Sequence, residues 1–356
     1  MTTTNDDLLD ATIRHQIGLH RYSTHTLRKA IAMLNRIDPR LRAQIRKYDP
    51  AQPGGSWSRK RLALLLQAVR DILDEAYTAI NDEVDQSVAA LAGYEPQYQA
   101  DMLKNVAPVV LDIVTPAAPQ IYAAVHAKPF AGRLLRDWYA GLAAGAQKRV
   151  RDVISQGYVE GRTTDQIVRD LMGTKAAKYA DGVLEGSRRG IEAMVRTALS
   201  HTANTARDMV YEENSAVIRG WVFVATLDSR TTVGCAALDG QVFEIGKGPR
   251  PPRHVNCRSS SAPVLRSWAE MGIDLPELTL SQRASMDGAV PASETFDSWL
   301  RKKPAEFQAD ILGQKKAKLF RDGSLTLDRF IDRKGKEYTL DQLREREAAA
   351  WSKAFG

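Results

Sequence analysis

The chain has 356 residues, 44% apolar and 26% charged, which is ample for a buried core and about two domains and excludes disorder as its general state. Only two cysteines are present, which excludes a multi-disulfide secreted scaffold. The net charge of +7 and pI of about 9.3 favour contact with nucleic acid or an acidic protein surface without requiring either.

No run of about 18 apolar residues occurs, so no membrane-spanning segment is predicted. The first residues, MTTTNDDLLDATIRHQ, carry acids where a secretory signal needs bases. A start in a reducing cytoplasm is therefore expected.

From Asp6 to about Tyr48, Ile13, Ile17, Leu27, Ile31 and Leu34 recur at helical spacing. Pro39 is expected to interrupt this helix and to push Asp38 out of the helical region. His15, His20 and His25, five residues apart, fall on different faces, which makes them poor joint metal ligands and predicts surface positions. Asp49 to Ser56, with Pro50, Pro53, Gly54 and Gly55, reads as a linker or interhelical loop.

The strongest periodicity runs from Ser58 to Leu91, through Leu62, Leu65, Leu66, Val69, Leu73, Ala76, Ile80, Val84 and Val88. Arg70, Asp74 and Asp85 lie off that stripe, and Gly93 reads as its C-cap. Pro96, Pro108, Pro116, Pro119 and Pro129 then predict an irregular region with several short helices. Helix resumes over Arg133 to Gln156. Thr163 and Gln166 stand at capping-box spacing before another helix through Met172. A long helix is predicted from Gly186 to Asn214, with His201 in a hydrogen-bonded interior position.

Around Arg219 the period changes. Gly220 to Thr226 is rich in aromatic and β-branched residues and reads as a strand. Asp239-Gly240 signals a turn before a short strand at Gln241 to Ile245, and Ser259 to Leu265 reads as a third strand. Residues 266–295 form a mixed connector. Short helices follow near Phe296–Lys302, Pro304–Leu312 and Leu340–Trp351, with a charged stretch between the last two. The fold class is thus α+β, predominantly α-helical, with a small antiparallel β module and a helical tail. The predicted segments are 1–129, 130–265 and 266–356.

The densest chemistry lies between Asp228 and Arg258, which holds both cysteines and one of the six histidines. Three readings stand open. Cys235, His254 and Cys257 form a partial zinc ligand set, with Asp239 or Asp228 as a fourth. A Cys235–Cys257 disulfide would contribute about 3 kcal/mol in the chain-entropy model, though a cytoplasmic origin opposes it. Alternatively, both are small buried thiols beside a hydrogen-bonded histidine. A nucleophilic Cys–His pair is also conceivable on residue type.

Phosphate-cradling glycine motifs, HExxH and GxSxG are all absent from the sequence. Basic residues gather late, at Arg301, Lys302, Lys303, Lys315, Lys316, Lys318 and Arg321, near Phe307 and Phe320. They are candidate nucleic-acid contacts of the salt-sensitive, sequence-independent kind, or a solvated face.

The stretch from Thr226 through Asp228-Ser229-Arg230-Thr231 and Cys235 to Leu238-Asp239-Gly240, followed by Pro251-Pro252-Arg253-His254-Val255-Asn256-Cys257-Arg258, resembles the phage head-morphogenesis, or phage Mu F-like, minor head proteins. Upstream, Arg196-Thr197-Ala198, Ala203-Asn204-Thr205-Ala206 and Tyr211 resemble that family's helix. In the tail, Trp299-Leu300, Pro304 to Gln308, Ile311-Leu312-Gly313 and Leu319 to Gly323 match a stretch common in it. The resemblance spans about residues 130–345. Thr232 and Ser259 stand where many relatives carry Cys, and Ala198 replaces an acid, which removes two possible metal ligands.

The resemblance implies a minor capsid protein that associates with the portal inside the procapsid, supports head assembly and contacts packaged double-stranded DNA, and is in some cases ejected with it. Major capsid or scaffolding protein are further implied partners. The implied location is the host cytoplasm during assembly, then the virion head. No cofactor is expected beyond a structural zinc at Cys235, His254 and Cys257. The alternative is a phage-delivered nuclease or transferase using those three residues. No fused toxin or transferase domain is expected, since the chain ends soon after the shared tail.

Overall fold

A computed structural model describes residues 4–49, 58–273 and 282–356. Helices α1 (Thr4–Asn35), α2 (Ile37–Lys47), α3 (Arg59–Val106), α4 (Ala118–Ala127), α5 (Leu135–Val159), α6 (Thr164–Met172) and α7 (Val183–Glu213) come first. Then follow β1 (Ile218–Val224), α8 (Val233–Leu238), β2 (Val242–Glu244), β3 (Ser260–Leu265), β4 (Gln282–Ser285) and β5 (Gly288–Pro291). The tail carries α9 (Phe296–Arg301), α10 (Ala305–Leu312), α11 (Gln314–Arg321), a 3-10 turn (Leu327–Phe330), α12 (Leu340–Arg346) and α13 (Ala348–Phe355). The fold is predominantly helical with a small antiparallel sheet, as the sequence predicts. Among the described residues no helix is long and apolar enough to cross a membrane.

Two expectations about breaks are corrected. The first helix ends at Asn35, and Asp38 and Pro39 lie inside α2. In the first turn of a helix the missing proline N–H has no intrahelical partner to lose. Nor does the second helix stop near Gly93: α3 runs through Gly93 and Pro96 to Val106. Its buried positions continue in step at Leu91 and Ala92, Glu95 and Pro96, Gln99 and Ala100, then Met102 and Leu103. Burial of that continuous face outweighs the one hydrogen bond that Pro96 removes. The expected loop at Asp49–Ser56 lies, apart from Asp49, outside the described residues.

The chain divides into two compact units, each discontinuous in sequence. The linear segments read from the sequence do not follow this division, because its boundaries fall within α1, α3, α4 and α7. One unit comprises His20–Ala90 and Val125–Leu199. Its buried side chains include Leu34, Leu41, Ile45, Leu65, Leu73, Ile80, Val84, Val150, Ile154, Ile167 and Ile191. The Ser87 hydroxyl and carbonyl meet Thr26 and Tyr22, each at 3.1 Å, and so link α1 to α3. The Thr163 hydroxyl accepts the Gln166 N–H at 3.2 Å and the Gln166 side chain accepts the Thr163 N–H at 2.8 Å, which is the predicted capping box. Gly157 keeps α5 close to α6, since a Cβ there would sit 2.6 Å from an Ile167 side-chain carbon.

The other unit comprises Met1–Leu19, Leu91–Ala124 and Ser200–Gly356. Its sheet has the order β2-β1-β3, with both pairings antiparallel. Trp221 on β1 pairs with Phe243 on β2 and Pro263 on β3, and its ring stacks on Phe243 at 4.9 Å. The core gathers Trp221 and Phe223 with Leu8, Leu103, Ile113, Phe296, Phe320 and Phe330. The connector read as mixed contains a β4–β5 hairpin turning at Met286-Asp287. The charged stretch Lys315–Arg321 lies within α11, with Ala317, Leu319 and Phe320 buried.

A buried ionic cluster ties α1, α3, α7 and β3 together. Glu95 accepts from Arg207 Nε at 2.7 Å and from Gln99 at 2.9 Å, and His15 Nε2 lies 2.6 Å from its other oxygen. Arg207 also donates to the Ser260 hydroxyl and the Ser261 carbonyl. His15 is buried and stacks on Tyr98 at 3.5 Å, which corrects its expected surface position; the polar partner that makes burial favourable lies eighty residues away in sequence. His25 is exposed, and His201 is buried within α7 as expected.

Candidate functional site

Strand β1 delivers the chain into a loop pinned by its own polar residues. The Thr231 hydroxyl donates to the Thr226 carbonyl at 2.5 Å. Asp228 accepts the Arg230 N–H at 2.9 Å and is gripped by both terminal nitrogens of Arg258, one at 2.6 Å. Burial opposes the Asp228 charge, but the Arg258 hydrogen bond and charge hold its carboxyl below the usual range. Thr232 then caps α8, its hydroxyl accepting the Cys235 N–H at 3.4 Å.

The returning chain passes the cis Pro251–Pro252 bond and closes a tight turn in which the Cys257 N–H donates to the His254 carbonyl at 3.1 Å. Asn256 supplies the left-handed residue of that turn, with φ 60°. His254 and Cys257 thereby face Cys235. The Cys235 sulfur lies 3.4 Å from His254 Nε2 and 3.8 Å from the Cys257 sulfur. The three ligand-type atoms all fall within 4.8 Å of one another. His254 Nδ1 lies 2.9 Å from the Val255 carbonyl. A carbonyl can only accept, so Nδ1 carries a proton there, and neutral His254 presents the Nε2 lone pair to the sulfurs.

Both thiols are free and buried, at 2% and 3% exposure. Thr232 is exposed and its hydroxyl lies 3.1 Å from His254 Nε2, so the cluster has an apolar inner side and a solvent-facing outer one. The Cys235–Cys257 hydrogen bond, with burial added, pushes the Cys235 thiol up. The same hydrogen bond, with His254 added and burial opposing, holds Cys257 well below the ordinary thiol range. The hydrogen bond to Cys257 raises His254 against its burial.

The carboxylates proposed as a fourth ligand are committed elsewhere. Asp239 accepts the Ala225 and Phe296 N–H groups at 2.7 and 2.8 Å and both terminal nitrogens of buried Arg283 at 2.9 and 3.0 Å. It joins the sheet to α9 and the β4–β5 hairpin. Asp228 is bound to Arg258. The hydroxyls of Thr232 and Ser259 are the further polar groups that reach Cys235.

The basic cluster is mostly paired within the fold. Arg301 meets Asp297, Lys302 meets Glu294, Lys303 meets Asp287, Lys316 meets Glu337, and Lys318 and Arg321 share Asp322. Arg301 also caps the Phe320 and Leu325 carbonyls and lies 4.1 Å over the Phe320 ring. Lys315 is exposed.

Sequence reading missed three partners: Arg283, Thr232 as a cap, and Glu95 under Arg207. A threonine one residue before the apolar stretch Val233 to Leu238 was the available signal for the cap. Nothing in the local sequence announces Arg283 or Glu95, since both pairings are long-range.

Residues 148–262 match the family model described as Phage Mu protein F like protein. The matched stretch carries α7, β1, α8 and the turn at His254–Cys257 into β3. It is therefore similar to the family that the motifs resemble. No curated protein and no solved structure matches the chain.

Proposed function

We propose that this chain is a phage head-morphogenesis protein: a minor head component that associates with the portal during assembly and remains in the virion head. The observation that carries this reading is the match of residues 148–262 to Phage Mu protein F like protein. The geometry agrees in kind. The motif residues in that stretch hold the fold together: Asp228 pairs with Arg258, Asp239 with Arg283, and Tyr211 donates to the Ser261 carbonyl at 3.3 Å. A motif spent on internal contacts suits a module whose task is to keep a shape that partners recognise.

Contact with packaged double-stranded DNA is part of the proposal in a weak, non-specific form. Six of the seven clustered cations already face carboxylates, leaving Lys315 as the clearest phosphate contact among them. Major capsid or scaffolding protein are secondary partners, and assembly in the host cytoplasm fits the free thiols.

The competing reading is an enzyme, a nuclease or transferase, using Cys257 beside His254. The hydrogen bonding that holds Cys257 below the ordinary thiol range favours it, but its sulfur sits in a residue only 3% exposed and so out of reach of a macromolecular substrate. The test is co-expression with the portal protein of the same phage. A stable complex recovered by purification through the portal is expected. A chain that stays separate from portal and accumulates outside heads would contradict the proposal.

A further inference from the structure

We propose that Cys235, His254 and Cys257 bind one divalent zinc ion per chain, with a solvent molecule beside Thr232 as the fourth ligand. This inference rests on the geometry of the three side chains and stands whether or not the chain is a head protein.

The distances exclude a disulfide and fit a zinc ion. A disulfide needs its sulfurs at about 2.05 Å, far shorter than the 3.8 Å found here. Zinc with thiolate bonds of about 2.3 Å in a tetrahedron sets its sulfurs about 3.8 Å apart. With an imidazole bond of about 2.0–2.1 Å, the sulfur-to-nitrogen edge is about 3.5 Å, and Cys235 to His254 Nε2 measures 3.4 Å. Two edges thus match one face of a zinc-sized tetrahedron, and the third, from Cys257 to His254, lies within 4.8 Å.

The surroundings also match. His254 Nδ1 is engaged by the Val255 carbonyl, which is the outer-shell contact that fixes a zinc-binding imidazole and leaves Nε2 for the metal. The sulfurs are buried in apolar surroundings, while the exposed Thr232 brings its hydroxyl to 3.1 Å from His254 Nε2 on the solvent side. Neither Asp228 nor Asp239 can fill that corner without giving up Arg258 or Arg283. A hydroxyl is a weak zinc ligand beside two thiolates and an imidazole, so water held by the Thr232 hydroxyl is the fitting fourth group. On binding, each thiol gives up its proton, as does Nε2 wherever His254 is protonated, and the released protons pass to solvent. The ion would join α8 to the turn that enters β3.

The experiment uses the full chain, purified under reducing conditions, stripped of metal and titrated with Co(II) and then Zn(II). One Co(II) per chain is expected, with tetrahedral visible bands and a thiolate charge-transfer band, both erased by one equivalent of Zn(II). T232C, which puts a third thiolate at the open corner, should strengthen the charge-transfer band by about half and bind Co(II) more tightly. C257S should weaken that band, and H254Q should lower the affinity by at least tenfold. Where those variants fail to fold, the wild-type spectrum and T232C still decide. Less than a tenth of a Co(II) or Zn(II) per chain in folded, reduced wild-type protein would overturn the proposal. So would a spectrum unchanged in folded C257S, or isolation of the native chain as a metal-free Cys235–Cys257 disulfide.

Discussion

Arg207 Nε lies 2.7 Å from Glu95 Oε1 across 112 residues of sequence, and neither side chain is exposed to solvent. Removing one member leaves the other charge buried without compensation. Arg207→Met or Glu95→Leu should each cost about 3–5 kcal/mol in urea unfolding, while the double substitution should cost less than the sum of the two. Additive losses would show that the two side chains act independently.

The same cluster predicts an acid limit. Burial opposes the Glu95 charge, but Arg207 and His15 hold its carboxyl below the ordinary value. Asp228 is likewise held low, by Arg258. For a carboxyl whose folded pKa is depressed, the unfolded chain binds the proton first as pH falls. The stabilisation is therefore complete above the unfolded carboxyl range, about pH 4, and is lost as pH drops through the folded values. Thermal melting from pH 7 to pH 3 should show stability falling below about pH 4.5. Arg207→Met should flatten that fall; an unchanged slope would assign the acid sensitivity to other groups.

Asp239 carries four hydrogen bonds from Ala225, Phe296 and Arg283. Asp239→Ala strands a buried guanidinium and two backbone donors, and is expected to cost about 3–5 kcal/mol. Asp239→Asn keeps the shape with half the acceptor capacity and should lie between that variant and the wild type. A loss under 1 kcal/mol in Asp239→Ala would contradict the role given to this residue.

How much of this was legible in the sequence follows from the range of each interaction. Local patterns announced the capping box at Thr163, the strand around Trp221 and the turn at Asp239-Gly240. Residues 228–258 announced the cysteine–histidine cluster. The continuation of α3 was hidden because Glu95 and Gln99 occupy its buried stripe, where apolar residues are expected. Their burial makes sense only with Arg207 and His15 beside them, and those lie on other helices. The β4–β5 hairpin was hidden for a similar reason. Asp287-Gly288 is a turn signal, yet the inward-facing side chain of β4 is Arg283, so the alternation of apolar residues that marks a strand is missing.

The basic tail gives a prediction about salt. Each phosphate contact adds roughly 0.9 to the slope of log binding constant against log salt on duplex DNA. Lys315→Gln should lower the measured slope by about one, whereas Arg301→Gln should lower stability more than DNA affinity. A large loss of DNA binding in a folded Arg301→Gln variant would show that the pairing with Asp297 opens on DNA.

The proposal that this chain is a portal-associated head component is tested by quantitative mass spectrometry of purified heads. Procapsids and mature virions should each hold a small, fixed number of copies, and heads assembled without portal should hold none. Absence of the chain from both particles, or an amount that does not depend on portal, would contradict the claim.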